Sequence, residues 1–316
     1  MSNPEVSIVI PLYNEEDVFH TLISRLQELK KTLSFSAEFV LIDDGSSDGT
    51  ARLMSDLALS DKSFHCIFLS RNYGHQLAVS AGLQHARGTE AVMIMDGDLQ
   101  DPPELLISFR NKLLEGYDVI YAVRKNRKES FAKRLVYKMY YRLQRSVSNF
   151  NIPIDSGDFS MLSRRVVDHL NTMPEQSRYL RGMRSWVGFK QLGFEYDRDV
   201  RAAGNSNYSI KKLLELGFNG IFNFSEFPVR FITRLGLISI VTALIYLAYT
   251  LFKSIMFGGV PAGFTALIFA ITLFSGVQLI SLGLIGEYVL RIYNQVRNRP
   301  LYIVAKRIVD KDEVNG

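Results

Sequence analysis

This 316-residue sequence predicts an α/β fold: a mostly parallel sheet with helices on both faces, then amphipathic interface helices and a two-helix transmembrane hairpin. Three observations carry that reading. Through residue 123, short apolar runs rich in β-branched residues alternate with helical patterns, as β-α-β units require. Carboxylates and glycines gather at the ends of those runs, where open α/β sheets bind ligands. Beyond residue 234 come two long uncharged stretches, each long enough for a bilayer-spanning helix, which needs about 20 residues.

The strand-like runs are "VSIVIP" (6–11), "EFVLIDD" (38–44), "FHCIFLS" (64–70), "AVMIMD" (91–96) and "YDVIYAV" (117–123). Helical patterns fill 16–33, 50–60, 76–86 and 103–115, the last opened by Pro102 and Pro103, which suit a first helical turn. The polar tails "PLYNEE", "DDGSSDGT", "SRNYG" and "DGDLQD" then converge at one end of the sheet. After residue 124 the stretch "RKNRKESFAKRLVYKMYYRLQRSVSNF" sets cations among Phe, Tyr and Leu at helical spacing, the pattern of a basic helix on a membrane surface. A second amphipathic stretch, "SIKKLLELGFNGIFNFSEFP" (209–228), leads into the first uncharged run.

That run, 235–252, is separated by Lys253 from a second, 254–286, and "GGVPAG" (258–263) breaks them into a hairpin. Arg230 and Arg234 precede the pair, and Arg291, Arg297, Arg299, Lys306 and Arg307 follow it. The positive-inside rule therefore expects both flanks in the cytoplasm. The N-terminus has no basic start or long apolar stretch, so no signal peptide is expected. The expected organisation is a cytoplasmic catalytic domain over 1–208, interfacial helices over 209–230, two transmembrane helices over 231–290 and a cytoplasmic tail over 291–316. The implied location is a multi-pass protein of the inner (cytoplasmic) membrane. A net charge of +5 suits anionic partners, and the spans argue against nucleic acid. The single cysteine, Cys66, lies in an apolar run and is read as core, which excludes intrachain disulfides and cysteine metal sites.

"DGDLQ" is the strongest chemical signal. Asp96 and Asp98, one residue apart after a buried strand, would repel each other, and a hard divalent cation removes that cost. Mg²⁺ or Mn²⁺ fits, because such ions take few carboxylates and complete their shell with phosphate oxygens and water. Gln100 is a further oxygen ligand, Gly97 lets the backbone approach the ligand, and Asp101 is expected to cap the next helix. In "LIDDGSSDGT" an aspartate can accept from a base or ribose, while Ser47 or Asp48 caps the following helix. The chain lacks a P-loop and a G-x-G-x-x-G, which removes support for NTPase and dinucleotide readings.

Taken in order, "VSIVIPLYNEE", "LIDDGSSDGT", "RNYGHQLA", "MDGDLQDPPE" and "SGDFSMLSRR" resemble the family 2 inverting glycosyltransferases of A-type fold. Within these the chain looks most like the polyprenyl-phosphate branch, which includes dolichol-phosphate mannose synthases and bactoprenol glucosyltransferases. The tail "LIGEYVLRIYNQVRNRPLYIV" is similar to the bactoprenol glucosyltransferases and the undecaprenyl-phosphate aminoarabinose transferases. The resemblance implies that Pro11, Tyr13 and Glu15 line the nucleotide pocket, with Asp43 and Asp44 on the base and ribose. Asp96, Asp98 and Gln100 would hold Mg²⁺ or Mn²⁺ on the donor diphosphate. Asp158 matches the catalytic base, Arg124 and Arg134 match the grip on the acceptor phosphate, and Arg201 matches a loop that closes on the donor. This chain has Asn207 where that loop usually carries Lys. The implied partners are a nucleotide sugar (UDP-glucose the commonest expectation), a polyprenyl (undecaprenyl) phosphate, the membrane and further copies of the chain, up to a tetramer.

The implied reaction is attack of a phosphate oxygen on the anomeric carbon with inversion. A phosphate monoester has a second pKa near about 6, so the nucleophile is already deprotonated at neutral pH. Asp158 is thus open to two readings, base or positioning group. "RYLRGMRSWVGF" (178–189) is similarly open between core packing and acceptor binding. Two other functions compete: a processive polysaccharide synthase, of whose Q-x-x-R-W motif "RGMRSW" is a partial echo, and a non-catalytic sugar-nucleotide-binding membrane protein.

Overall fold

The computed structural model describes residues 3–124, 156–196, 227–257 and 263–315. These fall into two compact units, one built around a sheet and one of two long helices.

In the first unit the predicted alternation appears as β1 (Val6–Leu12), α1 (Glu16–Thr32), β2 (Ala37–Asp43), α2 (Thr50–Ser60), β3 (Phe64–Leu69), α3 (His75–His85), β4 (Ala91–Ile94), α4 (Leu105–Leu114) and β5 (Val119–Arg124). There follow β6 (Ser156–Ser163), α5 (Arg164–Thr172), α6 (Leu180–Trp186), β7 (Gln191–Tyr196), β8 (Val304–Val309) and β9 (Asp312–Asn315). The nine strands form one sheet in the order β7-β5-β6-β4-β1-β2-β3-β8-β9. Its centre is parallel, as expected, but the sheet is mixed: β6 runs against β4 and β5, and β8 runs against β3 and β9. Strands β8 and β9 come from the stretch expected to be a cytoplasmic tail.

Strand side chains alternate between faces. Ile8, Ile10, Phe39, Leu41, Phe64 and Met93 face a core shared with Leu22 and Leu26 of α1, Met54 of α2 and Phe109 of α4. On the opposite face α3 packs so closely that a Cβ on Gly82 would collide with Val9 and Ile42. Helices therefore cover both faces, and the central strands are buried throughout, as parallel strands must be. Cys66 is buried in this core with its thiol directed at the Met54 carbonyl, 3.3 Å away.

The second unit holds α7 (Phe227–Phe257) and α8 (Phe264–Val296), so the helices overrun the 231–290 limits at both ends. Among the described residues, one segment, Leu273–Val296, is long and apolar enough to cross a membrane by length and composition. The two-span hairpin expected from the sequence is matched in one helix by that measure. The shorter apolar stretch Gly236–Tyr246 lies in α7.

Candidate active site

The carboxyl ends of β1, β2, β3 and β4 open onto one edge of the sheet, and their loops are stitched together by backbone hydrogen bonds. Asn14, at φ 56°, accepts the Ser47 N–H at 2.8 Å through its side chain. The Asp48 carboxylate accepts from Glu16 N (3.2 Å) and Thr50 N (3.0 Å), serving the starts of α1 and α2 together. Glu15 donates its backbone N–H to the Thr50 hydroxyl at 2.9 Å. Pro11 lies near the end of β1, opposite Ile42, and Tyr13 beyond it is exposed.

Asp43 and Asp44 end up buried, doing different work. Asp43 accepts the Ser46 N–H at 3.1 Å, and burial raises its pKa. Asp44 accepts from Tyr73 N (2.7 Å) and Gly74 N (2.9 Å), and burial raises its carboxyl as well. Its two oxygens thus hold the turn that launches α3. Gly45, at φ 69°, is required there, because a Cβ would run into the backbone of Arg71 and Asn72.

β4 delivers the acidic loop. Gly97 is needed less for a ligand than for packing, since its Cβ would collide with Leu12. Asp98 accepts the Gln100 N–H at 3.1 Å, and Leu99 between them is held at φ 58°. A branched residue with positive φ is uncommon and marks stored strain of about 1–3 kcal/mol. The Asp96 Oδ1 is buried and has no hydrogen-bond donor. Burial raises the Asp96 pKa, and Asp158, Asp101 and Asp98 push the same way against His75.

Asp158 reaches this loop because β6 is antiparallel. Its ladder with β4 ends at the Ile94–Ser160 pair, and beyond that pair Asp96 and Asp158 both lie within reach of His75. Arg181 from α6 grips Asp158 with Nε at 2.7 Å and Nη2 at 3.0 Å, and Gln76 donates at 3.3 Å. His75, the first residue of α3, sets its Nε2 3.5 Å from Asp158 and 3.6 Å from Asp96. Burial alone would raise the Asp158 carboxyl; the field of Arg181 and hydrogen bonds from His75 and Arg181 hold it well below the usual range. The same exchange works on His75, where burial opposes the imidazolium but the two carboxylates raise its pKa to about 9.

Beside Asp158 opens a small recess lined by Ser160, Arg181, Arg184 and the apolar Ile94, Leu162 and Leu180. Arg184 is 3 % exposed, yet its Nε and Nη2 have no hydrogen-bond partner. Its guanidinium lies 5.3 Å from the Tyr121 ring centre, and burial lowers its pKa to about 10, with Asp158 resisting.

His75 and Arg181 join this cluster although sequence reasoning names neither by residue, and it leaves the segment holding Arg181 open between core packing and acceptor binding. Both lie in quoted segments ("RNYGHQLA", "RYLRGMRSW"), and His75 opens the helix that follows the polar tail of β3, the signal that could have found it. Asp101 corrects an expectation. It does not cap a helix but is 2 % exposed and accepts the phenolic O–H of Tyr196. Capping loses because the carboxylate points inward, while Pro102 and Pro103 lead into a helix that begins at Leu105. Arg124 ends β5; its side chain, Arg134 and Arg201 lie outside the described residues.

A divalent cation fits this end of the sheet. Asp96 offers, near Asp98, a buried oxygen that accepts no hydrogen bond and has only His75 at 3.6 Å to offset the field of three carboxylates. No group of three or more His, Cys, Asp or Glu that could hold a metal occurs among the described residues. Two protein carboxylates and an otherwise ligand-supplied oxygen shell is the coordination Mg²⁺ and Mn²⁺ accept.

Residues 7–170, more than half the chain, match the family described as Glycosyl transferase family 2. The chain belongs to that family. Family 2 relatives run almost end to end with it. An uncharacterized glycosyltransferase, YkcC, of Bacillus subtilis (strain 168) is 41% identical over 303 residues, 96% of this chain and 94% of that one. The bactoprenol glucosyl transferase of Shigella phage SfII is 38% identical, covering 96% and 98%. A prophage bactoprenol glucosyl transferase homolog of Escherichia coli (strain K12) is 36% identical, covering 96% and 99%. Among solved structures, the mannosyltransferase PcManGT from Pyrobaculum calidifontis in complex with GDP-Man and Mn2+ aligns at 18% identity with a TM-score of 0.49, over 93% of this chain and 88% of that one. This family 2 enzyme is a glycosyltransferase, with the mixed α/β sheet expected for the A-type fold. Its relatives' names agree with the polyprenyl-phosphate branch that the motifs and tail resemble.

Proposed function

We propose that this glycosyltransferase is membrane-anchored and moves a sugar, glucose from UDP-glucose, with inversion onto undecaprenyl phosphate. The lipid-linked sugar would serve cell-envelope glycan modification. The observation that carries the reading is the meeting, at one end of the sheet, of Asp96 with its bare Oδ1 and Asp158 clamped by Arg181. In this reading the cluster serves a diphosphate-bound cation through Asp96 and an anionic nucleophile beside Asp158. Similarity to the bactoprenol glucosyl transferases supports the acceptor class and the glucose. The exposed apolar side chains along α7 and α8, with the uncharged runs 235–252 and 254–286, support two spans.

In this reading Asp96, Asp98 and Gln100 hold Mg²⁺ or Mn²⁺. When bound, the ion neutralises charge that builds on the departing nucleoside diphosphate. Pro11, Tyr13, Glu15, Asp43 and Arg201 line the donor, while both Asp44 oxygens are engaged in the α3 turn. Arg124 and Arg134 meet the acceptor phosphate, joined by Arg181 and Arg184 in the recess beside Asp158. Asp158 acts as a positioning group rather than a base. Its carboxylate is already tied up by a bidentate arginine, and a phosphate dianion has no proton to surrender.

The test is transfer of radiolabelled glucose from UDP-glucose to undecaprenyl phosphate by the purified full chain in detergent. Label is expected in an organic-extractable lipid, dependent on Mg²⁺ or Mn²⁺ and lost with EDTA. A panel of other nucleotide sugars reads the donor. Absence of lipid-linked label with every donor overturns the proposal.

A further inference from the structure

Tyr196 sits where three parts of the site meet. It ends β7 and lies in register with Arg124, the last residue of β5. Its ring packs edge-on against Phe159, the neighbour of Asp158, with centroids 5.8 Å apart and planes at 62°. Its hydroxyl donates to Asp101, the last residue of the acidic loop, and both residues are buried. Around the pair are apolar rings: Phe109 lies 5.3 Å from Phe159 and 5.4 Å from Phe194.

A buried carboxylate in such a place costs stability unless it is hydrogen-bonded, and an apolar pair would fill the same space more cheaply. The polar pair therefore contributes direction, and the loop it ends has need of direction. Leu99 is held at φ 58°, and the loop's near end is fixed where Met95 N donates to Val9 O at 3.1 Å. The far end is fixed by Asp101.

We infer that the Tyr196–Asp101 hydrogen bond is the positioning contact that aligns the donor-diphosphate loop 96–101 with the strands carrying Asp158 and Arg124. Neither residue touches a reactant. They set how far the donor's anomeric carbon stands from the acceptor phosphate, and a misplacement of about 1 Å costs on the order of a hundredfold in rate. The inference rests on the diphosphate reading of loop 96–101.

Four variants of the full chain test it: Tyr196→Phe, Asp101→Ala, Asp101→Asn and the double Tyr196→Phe/Asp101→Ala. The readouts are kcat, the Kd of UDP with Mn²⁺ by calorimetry, and Tm, with rates measured well below the Tm. Tyr196→Phe is expected to lower kcat tenfold or more while the UDP–Mn²⁺ Kd stays within threefold. Asp101→Asn, which keeps an oxygen acceptor for the phenol, retains more rate than Asp101→Ala, and the double variant falls no further than the worse single one. Should Tyr196→Phe fail to fold, the contrast between the Asp101 variants decides. Folded variants with kcat within twofold of wild type overturn the inference, as does a Kd that weakens in step with kcat. Wild-type protein that binds no UDP with Mn²⁺ overturns the diphosphate reading together with the inference. Binding by both wild type and Tyr196→Phe, with kcat of the variant within twofold of wild type, overturns the alignment alone.

Discussion

Glu38 lies at the opposite end of the sheet from the site, at the start of β2, and can be perturbed without touching the chemistry. Its Oε1 accepts from the Ser7 hydroxyl (2.5 Å) and Arg87 N (2.6 Å), while Oε2 accepts from Arg87 Nε at 2.9 Å and lies 3.0 Å from His65 Nδ1. Arg87 can only donate, so the His65 Nε2 at 2.7 Å accepts and the ring proton sits on Nδ1, aimed at Glu38. Burial opposes the carboxylate, but the bonds from His65, Ser7 and Arg87 bring its pKa from 4.5 down to about 2. At ~1.4 kcal/mol per pKa unit, the ionised form contributes about 3 kcal/mol. Because the folded pKa is depressed, that contribution is fully present above pH 4.5 and disappears as pH falls towards 2. Glu38→Gln removes the charge and turns an amide N–H₂ towards donors. At ~2–4 °C per kcal/mol for a unit of this size, it should lower Tm by about 6–12 °C at pH 7. Thermal unfolding of the full chain in detergent, followed by circular dichroism at pH 7 and pH 3, measures this. The Tm gap should narrow to less than half at pH 3, and turnover per folded molecule should be unchanged. A Tm loss under about 2 °C at pH 7, or an equal gap at both pH values, would refute the reasoning.

At the site, Asp98→Ala should abolish the Mg²⁺-dependent part of nucleotide-sugar binding in calorimetry, and unchanged affinity would remove Asp98 from the cation site. Arg181→Lys keeps the charge but cannot make the two-pronged contact with Asp158, so kcat should fall on the order of a hundredfold in the transfer assay. Asp158→Asn should lower kcat without altering the shape of the pH–rate profile; loss of a titrating limb would restore the base role. Leu99→Gly relieves the φ 58° strain but deletes a buried core side chain, the larger effect, so it should lower both Tm and turnover in the same two assays, and a raised Tm would show that strain dominates.

The parallel half of the fold was legible because its strands are buried on both faces. "VSIVIP" and "EFVLID" are nearly continuous apolar runs, and β1 and β2 match them within a residue or two. β6 and β8 were not legible. "SGDFSMLS" and "VAKRIV" mix polar and apolar residues, and strand direction leaves no mark on composition. Yet direction is what brings Asp158 to Asp96. The acidic loop announced itself through local spacing, whereas the burial of Asp101 depended on Tyr196, 95 residues away, and no local pattern records such a partner. Arg181 carried an even signal, since three arginines among Tyr179, Trp186 and Phe189 read equally well as core packing with solvated cations and as acceptor binding.

The last two strands carry a practical consequence. The chain leaves the sheet unit, forms α7 and α8, and returns at Pro300 to supply β8 and β9. Topologically the helical pair is an insertion, not an appendage. A stop codon placed before α7 would therefore remove two strands along with the helices. It would bare the edge of β3 from Cys66 to Leu69 and take Asp310 from Arg87. An exposed edge of that kind is a template for aggregation. Truncation should thus give insoluble protein, and a soluble version calls for cutting out the helices and rejoining the flanks with a flexible linker.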